Sequence, residues 1–189
     1  MEHAFAAEAT PAAPAAVARA EPQPALQYLR FAIGTESYAV RVESVREILE
    51  LMPMTPLPLV PAFVRGVMNL RGVVVPVLDL GARLGLQATV VGRRSCVVIV
   101  DVPVDGGAPM TLGMLVDGVH EVFDFRAGEC EPVPRMGTRV DPRFVRCITR
   151  ARGLVTPELN LEAVLELQAL SGLIAAHQSA HQGAHSPGH

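Results

Sequence analysis

The sequence predicts a mostly β protein made of two small β-barrels packed together, with one helix near the C-terminal end. Three observations carry this. The chain repeats itself: residues 61–84, PAFVRGVMNLRGVVVPVLDLGARL, lie ungapped over residues 142–165, PRFVRCITRARGLVTPELNLEAVL, with 12 of 24 positions identical at an offset of 81. Chance pairing would give roughly two. A weaker match at offset 74 sets YAVRVESVREIL (38–49) over LGMLVDGVHEVF (112–123), in the same order along the chain. The composition is also that of a β protein. Half of the residues are hydrophobic, only 4% are aromatic and none is Trp, so the core is Val, Leu and Ile, which favour strands. Finally, many short apolar runs are punctuated by Gly and Pro turns, and closing such strands into barrels removes exposed edges.

The elements follow in order. Residues 1 to about 25 are Ala/Pro/Glu-rich and cannot bury enough apolar surface to order, so a disordered tail is expected. Leu26 to Ile33 reads as a strand ending at the turn residue Gly34. Tyr38 to Val42 alternates as a strand, and the apolar pattern continues through Val45, Ile48 and Leu49. Residues 53–61, PMTPLPLVP, hold four prolines and predict an extended, irregular crossing. Val64–Leu70 and Val73–Leu80 predict a hairpin closed at Arg71-Gly72. Pro76 inside its second strand predicts an edge or a bulge, because proline cannot donate to the ladder. Leu80 to Leu84 reads as a short helical turn.

The second half repeats this, with strands at Ser95–Val102, Thr111–Val116 and Val119–Phe125. A second Pro/Glu-rich crossing (129–142) and a hairpin at Arg152-Gly153 follow, with Pro157 matching Pro76. Leu161 to about Ala175 predicts a helix capped by Asn160. The expected division is a first barrel over about 26–90, with the helix packed near it, a second over about 94–160, and a His-containing tail over 171–189 that frays from about His177.

The charge balance, −3 with a pI near 6.1, does not suit a phosphate-tracking surface. Three cysteines, Cys96, Cys130 and Cys147, are odd in number and lack CxxC spacing, which argues against a disulfide framework and fits a reducing, cytoplasmic compartment. The N-terminus has no positive n-region of a signal peptide, and no apolar run approaches the ~18 residues of a spanning helix. Catalytic signatures are absent: no GxSxG, HExxH, GxxxxGK[ST] or GxGxxG occurs, and Asp79, Asp117 and Glu121 form no evident acid/base pair. No enzyme activity and no cofactor are expected.

Residues 64–80, VRGVMNLRGVVVPVLDL, resemble the hallmark segment of the CheW family, the coupling proteins of bacterial chemotaxis arrays. FAIGTESYAVRVESVREIL upstream, and SCVVIVDV and GMLVDGVHEVFDF downstream, resemble the family's other segments in order, so the resemblance covers about 26–170. It implies two SH3-like β-barrels and a non-enzymatic adaptor joining methyl-accepting chemoreceptor tips to a CheA-type histidine kinase, in the cytoplasm and recruited to receptor arrays at the inner membrane. The chain has no room for a kinase or receiver domain, so a stand-alone adaptor is the fitting member. One departure is the second hairpin, where Thr156, Pro157 and Glu158 interrupt a stretch that is more continuously apolar in many members.

The resemblance also implies a receptor-binding set: Val45, Glu47, Gly66, Asn69 and Arg71. Each has a plainer structural alternative. Arg71 could offer a planar fork of donors to a receptor carboxylate, yet Arg152-Gly153 repeats the dipeptide. Gly72 serves the turn. Asn69 faces Arg150 in the repeat, so the module does not demand it, although an Asn can brace a turn. Glu47 recurs as Glu121. Gly66 meets Cys147, which leaves a partner's close approach or a bulge as its reason. Arg46 and His120 differ between the repeats, and His120 reads as a satisfied barrel residue. The kinase-facing residues are not legible.

Other readings are an adaptor for a chemosensory system governing surface motility or second-messenger output, a small β-barrel nucleic-acid binder, and a metal binder. The low aromatic content and acidic balance weigh against the second. The third would use His177, His181, His185 and His189, spaced by four, but Gly183, Pro187 and Gly188 oppose a helix there.

Overall fold

The computed structural model describes residues 25–104, 107–126, 130–133, 139–151 and 153–165. The predicted tails, the four spaced histidines and the helix beyond residue 165 lie outside these. The strands are β1 (Ala25–Ile33), β2 (Glu36–Arg41), β3 (Val45–Glu50), β4 (Val64–Leu70), β5 (Val73–Asp79), β6 (Cys96–Val102), β7 (Met110–Val116), β8 (Gly118–Arg126), β9 (Val145–Ala151) and β10 (Leu154–Leu159). Two short helices, α1 (Leu80–Arg83) and α2 (Leu161–Leu165), follow β5 and β10. The predicted strands and both hairpins form where the alternation and turn residues put them.

The strands build two five-stranded sheets, ordered β8-β1-β2-β10-β9 (barrel 1) and β3-β6-β7-β5-β4 (barrel 2). The expected division into 26–90 and 94–160 is therefore corrected. The repeats swap strands: each barrel takes the first two strands of one repeat and the last three of the other. The two orders match strand for strand under the repeat. The parallel contacts match as well, Glu158↔Ala39 in barrel 1 and Val77↔Gly113 in barrel 2.

The irregularities repeat too. β8 slips past β1 at His120, and β3 slips past β6 at Arg46. β4 bulges at Arg65 and β9 at Arg146. Each barrel also closes along the same seam. Thr55, past the end of β3, exchanges both backbone hydrogen bonds with Val67 of β4; Glu131, past β8, does the same with Ile148 of β9. The seam explains the strand prolines. Val67 and Ile148 turn their backbone groups outward to the seam, so Pro76 and Pro157 opposite them lose no ladder bond to β4 or β9. Pairing to β7 and β2 begins only at the next residue, Val77 and Glu158. Both strands are interior, and the proline sits at the stretch where one side is unpaired.

The core has three parts. The largest joins the barrels, with Leu29, Phe31, Ile33 and Val40 from barrel 1 against Leu78, Val98, Val100, Leu112 and Met114 from barrel 2. Barrel 2 is filled by aliphatic residues, Met68, Val75, Val77, Val97, Ile99 and Leu115. Barrel 1 is filled by Tyr28, Phe123 and Phe125 around Ala39. Burial on this scale is the main driving force for the association of the swapped repeats.

Arg83 of α1 fastens the two repeats. Its Nε donates to the carbonyl of Val164, its NH2 group to that of Ala163 at 3.2 Å, and its guanidinium lies 4.8 Å from the ring centre of Phe63 and 4.7 Å from that of Phe144. Phe63 and Phe144 are repeat partners, so one cation is held between two equivalent rings. Asp79 and Asn160, also partners, cap the two helices through Ala82 N–H (3.0 Å) and Ala163 N–H (3.5 Å). Asp79 is thus a capping residue.

Candidate functional site

The five candidate residues all lie in barrel 2, and two of them meet. Glu47 lies two residues before Leu49, which packs against the barrel 2 core, so alternation turns Glu47 to the barrel's mouth. Arg71, at the tip of the β4–β5 hairpin, reaches over that mouth and donates to Glu47 Oε2 at 3.0 Å. Glu47 is half-buried and Arg71 is 79% exposed, so the cation is presented outward on an anchored carboxylate. A cleft of about 150 Å³ at this mouth is lined by Arg46, Glu47, Leu70, Arg71, Val73 and Thr111, among others. Ile48, Val73 and Val74 are exposed on the same strands.

The hairpin tip is locally unusual. Arg71 and Gly72 both have positive φ, 52° and 88°, which defines a type I′ turn. Gly takes that conformation freely, but for Arg it costs about 1 kcal/mol. Asn69 braces the turn by accepting from Gly72 N–H at 2.8 Å. The bracing alternative therefore holds for Asn69. Turn geometry alone would favour Asn or Gly at this position.

Gly66 has φ +140°, beside the Arg65 bulge, and a Cβ there would sit 2.4 Å from the Thr55 carbonyl oxygen. The close approach comes from the chain's own proline-rich crossing and is the structural reason for glycine. Val45 is half-buried at the start of β3, beside the Arg46 bulge. His120, expected as a satisfied barrel residue, is instead exposed at the barrel 1 bulge.

The corresponding mouth of barrel 1 is wired differently. Glu121, the partner of Glu47, contacts Arg30 on β1. The place of Arg30 is taken by Ile99 in barrel 2, opposite Glu47. Glu47 therefore has no strand cation beside it and pairs with the hairpin arginine.

Barrel 1 also holds a polar network that the sequence reading missed. Glu158, 2% exposed, accepts from the Tyr28 hydroxyl (3.1 Å) and from Arg41 Nε (3.2 Å), with Cys147 Sγ at 3.4 Å. Burial, then the Glu158 carboxylate, pushes the Tyr28 pKa up. Tyr38 is likewise pushed up by burial and by its bond to Glu36. The usable signal was Glu158 itself, an acid in an apolar strand. Cys130 and Cys147 are joined as a disulfide with Cα atoms 5.7 Å apart, which corrects the expectation of unpaired cysteines; Cys96 is free. Among the described residues, Cys130, Cys147 and Glu158 are the one group close enough to hold a metal, within 4.8 Å. The disulfide and the Tyr28 and Arg41 bonds occupy those atoms. No helix among the described residues is long and apolar enough to cross a membrane.

Comparison with known proteins gives consistent results. A family model described as a CheW-like domain matches residues 27–169. A curated relative, "Chemotaxis protein CheW" of Rhizobium meliloti, is 30% identical over 138 residues, covering 73% of this chain and 86% of that protein. "Protein FrzA" of Myxococcus xanthus is 36% identical over 83 residues, covering 44% of this chain and 52% of its own length. The crystal structure of the scaffolding protein TtCheW from Thermoanaerobacter tengcongensis superposes with a TM-score of 0.68 at 28% identity, covering 75% of this chain and 92% of that one.

Proposed function

The chain belongs to the CheW-like family, and from that premise we propose that it is a non-enzymatic scaffold coupling chemoreceptors to a CheA-type histidine kinase. In this reading the mouth of barrel 2 grips the helical tip of a methyl-accepting receptor. Arg71 offers the receptor a planar set of donors, Glu47 holds that arginine in place, and the exposed Val73 at the mouth supplies apolar contact. Asn69 and Gly66 act behind them, by bracing the hairpin and admitting the crossing. Val45 sets the start of β3. The observation that carries the reading is the anchored, strained and exposed arginine at φ 52°. The adaptor works by binding alone, biasing the receptor–kinase assembly toward one arrangement. It acts at receptor arrays on the cytoplasmic side of the membrane.

The similarity to a relative with a different name, FrzA, supports a second reading in which the same adaptor serves a chemosensory pathway other than flagellar chemotaxis. The two share one site and differ in the receptor engaged.

The test is a pull-down of the full chain, wild type and Arg71→Glu, with a CheA-type kinase and receptor signalling fragments from the same cell. The expected result is that wild type retains both and the variant retains only the kinase. Wild type binding neither would overturn the adaptor reading.

A further inference from the structure

The two barrels close along the same seam by different means. In barrel 2, Gly66 lets the Thr55 backbone lie directly on β4. In barrel 1 the glycine is replaced by Cys147, and the residue before Glu131 is Cys130. We infer that this seam is a thiol–disulfide exchange site, at which Cys130 and Cys147 cycle between dithiol and disulfide with low-molecular-weight thiols and disulfides.

Four features of the site carry this. The Cα separation of 5.7 Å lies within the range of about 4.4–6.8 Å that a disulfide spans, so the bond forms without moving the backbone. The two residues differ in exposure: Cys130 is half-buried at the edge of the Tyr28, Phe123 and Phe125 cluster, and Cys147 is 6% exposed. Cys147 Sγ lies 3.4 Å from Glu158 Oε2, and that carboxylate is fixed by Tyr28 and Arg41. In the dithiol state the Cys147 thiol therefore has an acceptor for its proton. Cys96, on β6 of barrel 2, is separate, and burial pushes its thiol pKa up, away from the reactive thiolate.

The exchange balances in two steps. The Cys130 thiolate attacks a small disulfide; the small disulfide's S–S bond breaks, a Cys130 mixed disulfide forms and one small thiolate leaves. The Cys147 thiol then gives its proton toward Glu158 while its sulfur attacks Cys130 Sγ, and the second small thiol leaves with a proton. Two protein thiols are oxidised and one small disulfide is reduced to two thiols. Excess small thiol reverses both steps. The bond lies next to the Glu131–Ile148 bridge, so oxidation locks the barrel 1 seam and leaves the Thr55–Val67 seam of barrel 2 as an internal control.

The test uses the full chain, reduced with dithiothreitol, freed of it, and exposed to oxidised glutathione. The expected products are a mass lower by two hydrogens, a peptide joining Cys130 to Cys147, one remaining free thiol, and full reversal by reduced glutathione. Amide exchange at Glu131 and Ile148 slows on oxidation, while that at Thr55 and Val67 does not change. Cys147→Ser stops at a single glutathione adduct on Cys130. Glu158→Gln forms that adduct at the normal rate and closes it about tenfold more slowly or worse. If Cys147→Ser does not fold, Cys130→Ser serves in its place and leaves Cys147 unmodified. Three free thiols persisting in oxidised glutathione, an adduct on Cys96 with the pair untouched, or cross-links only between chains would overturn the inference.

Discussion

Barrel 1 and barrel 2 share strand order, bulges, seams and proline placement, yet they are filled and wired differently. Barrel 2 has an aliphatic interior and a glycine seam; barrel 1 has an interior of Tyr28, Phe123 and Phe125, a buried glutamate and a disulfide. The comparison separates frame from function within one chain. What recurs, such as the bulges, the seams and the two strand prolines, belongs to the frame. What does not recur marks the individual barrel. By that test the surroundings of the two glutamates differ, since Arg30 stands opposite Glu121 in barrel 1 and Ile99 stands opposite Glu47 in barrel 2.

The largest expected effect comes from erasing the seam difference. Gly66→Ala forces a Cβ onto the Thr55 carbonyl at a positive φ, and should cost about 3 kcal/mol or more in denaturant unfolding. Cys147→Ala at the matched position, measured under reducing conditions, should cost about 1 kcal/mol. Equal losses would break the claim that the two seams close by different means.

Next is the polar network. Glu158→Val writes the barrel 2 residue, Val77, into barrel 1. It leaves the Tyr28 hydroxyl without its acceptor and removes a partner of Arg41, costing about 2 kcal/mol. A neutral result would show that the network adds nothing the aliphatic barrel lacks.

The third expected effect is alkaline and confined to barrel 1, which holds both tyrosines of the chain. Their pKa values are raised by burial above the unfolded value of 10.0. The folded state then keeps its protons longer, so this stability is fully present below pH 10 and is lost as pH rises from there toward the folded values. Hydrogen exchange above pH 10 should open β1 and β2 before β3–β5. Tyr38→Phe should soften the loss. Barrel 2 opening first would contradict the assignment.

The smallest stability effect is at the site itself. An exposed ion pair contributes at most about 0.5 kcal/mol. Arg71→Gly removes that pair and also relieves the left-handed arginine, so stability should stay level or rise by about 0.5 kcal/mol while receptor binding falls. A large loss of stability would mean that Arg71 serves the frame.

Much of this was legible in the sequence, and the rest was not, for physical reasons. The repeat, the turn dipeptides and period-2 alternation located nearly every strand, because those signals are local. The strand swap was hidden, because an offset says which segments are alike and not which of them pair. β1 finds β8 about ninety residues away, as in Leu29↔Val122, through packing that no local pattern encodes. Arg83 was missed because its repeat partner is Val164, and its two aromatic partners are far apart in sequence. Cys130 and Cys147 were missed because an odd count and irregular spacing say nothing about a seam that brings them together. At the site, Arg71 and Glu47 were named from resemblance, but their contact and the strain at Arg71 required coordinates.

The most direct measurement compares matched charge reversals, Arg71→Glu in barrel 2 and Arg152→Glu at the repeat-equivalent position, for affinity toward receptor signalling fragments. The account predicts at least about tenfold weaker binding for Arg71→Glu, wild-type binding for Arg152→Glu, and unchanged kinase binding for Arg71→Glu. Equal losses in both variants, or no loss in either, would contradict a receptor-gripping face particular to barrel 2.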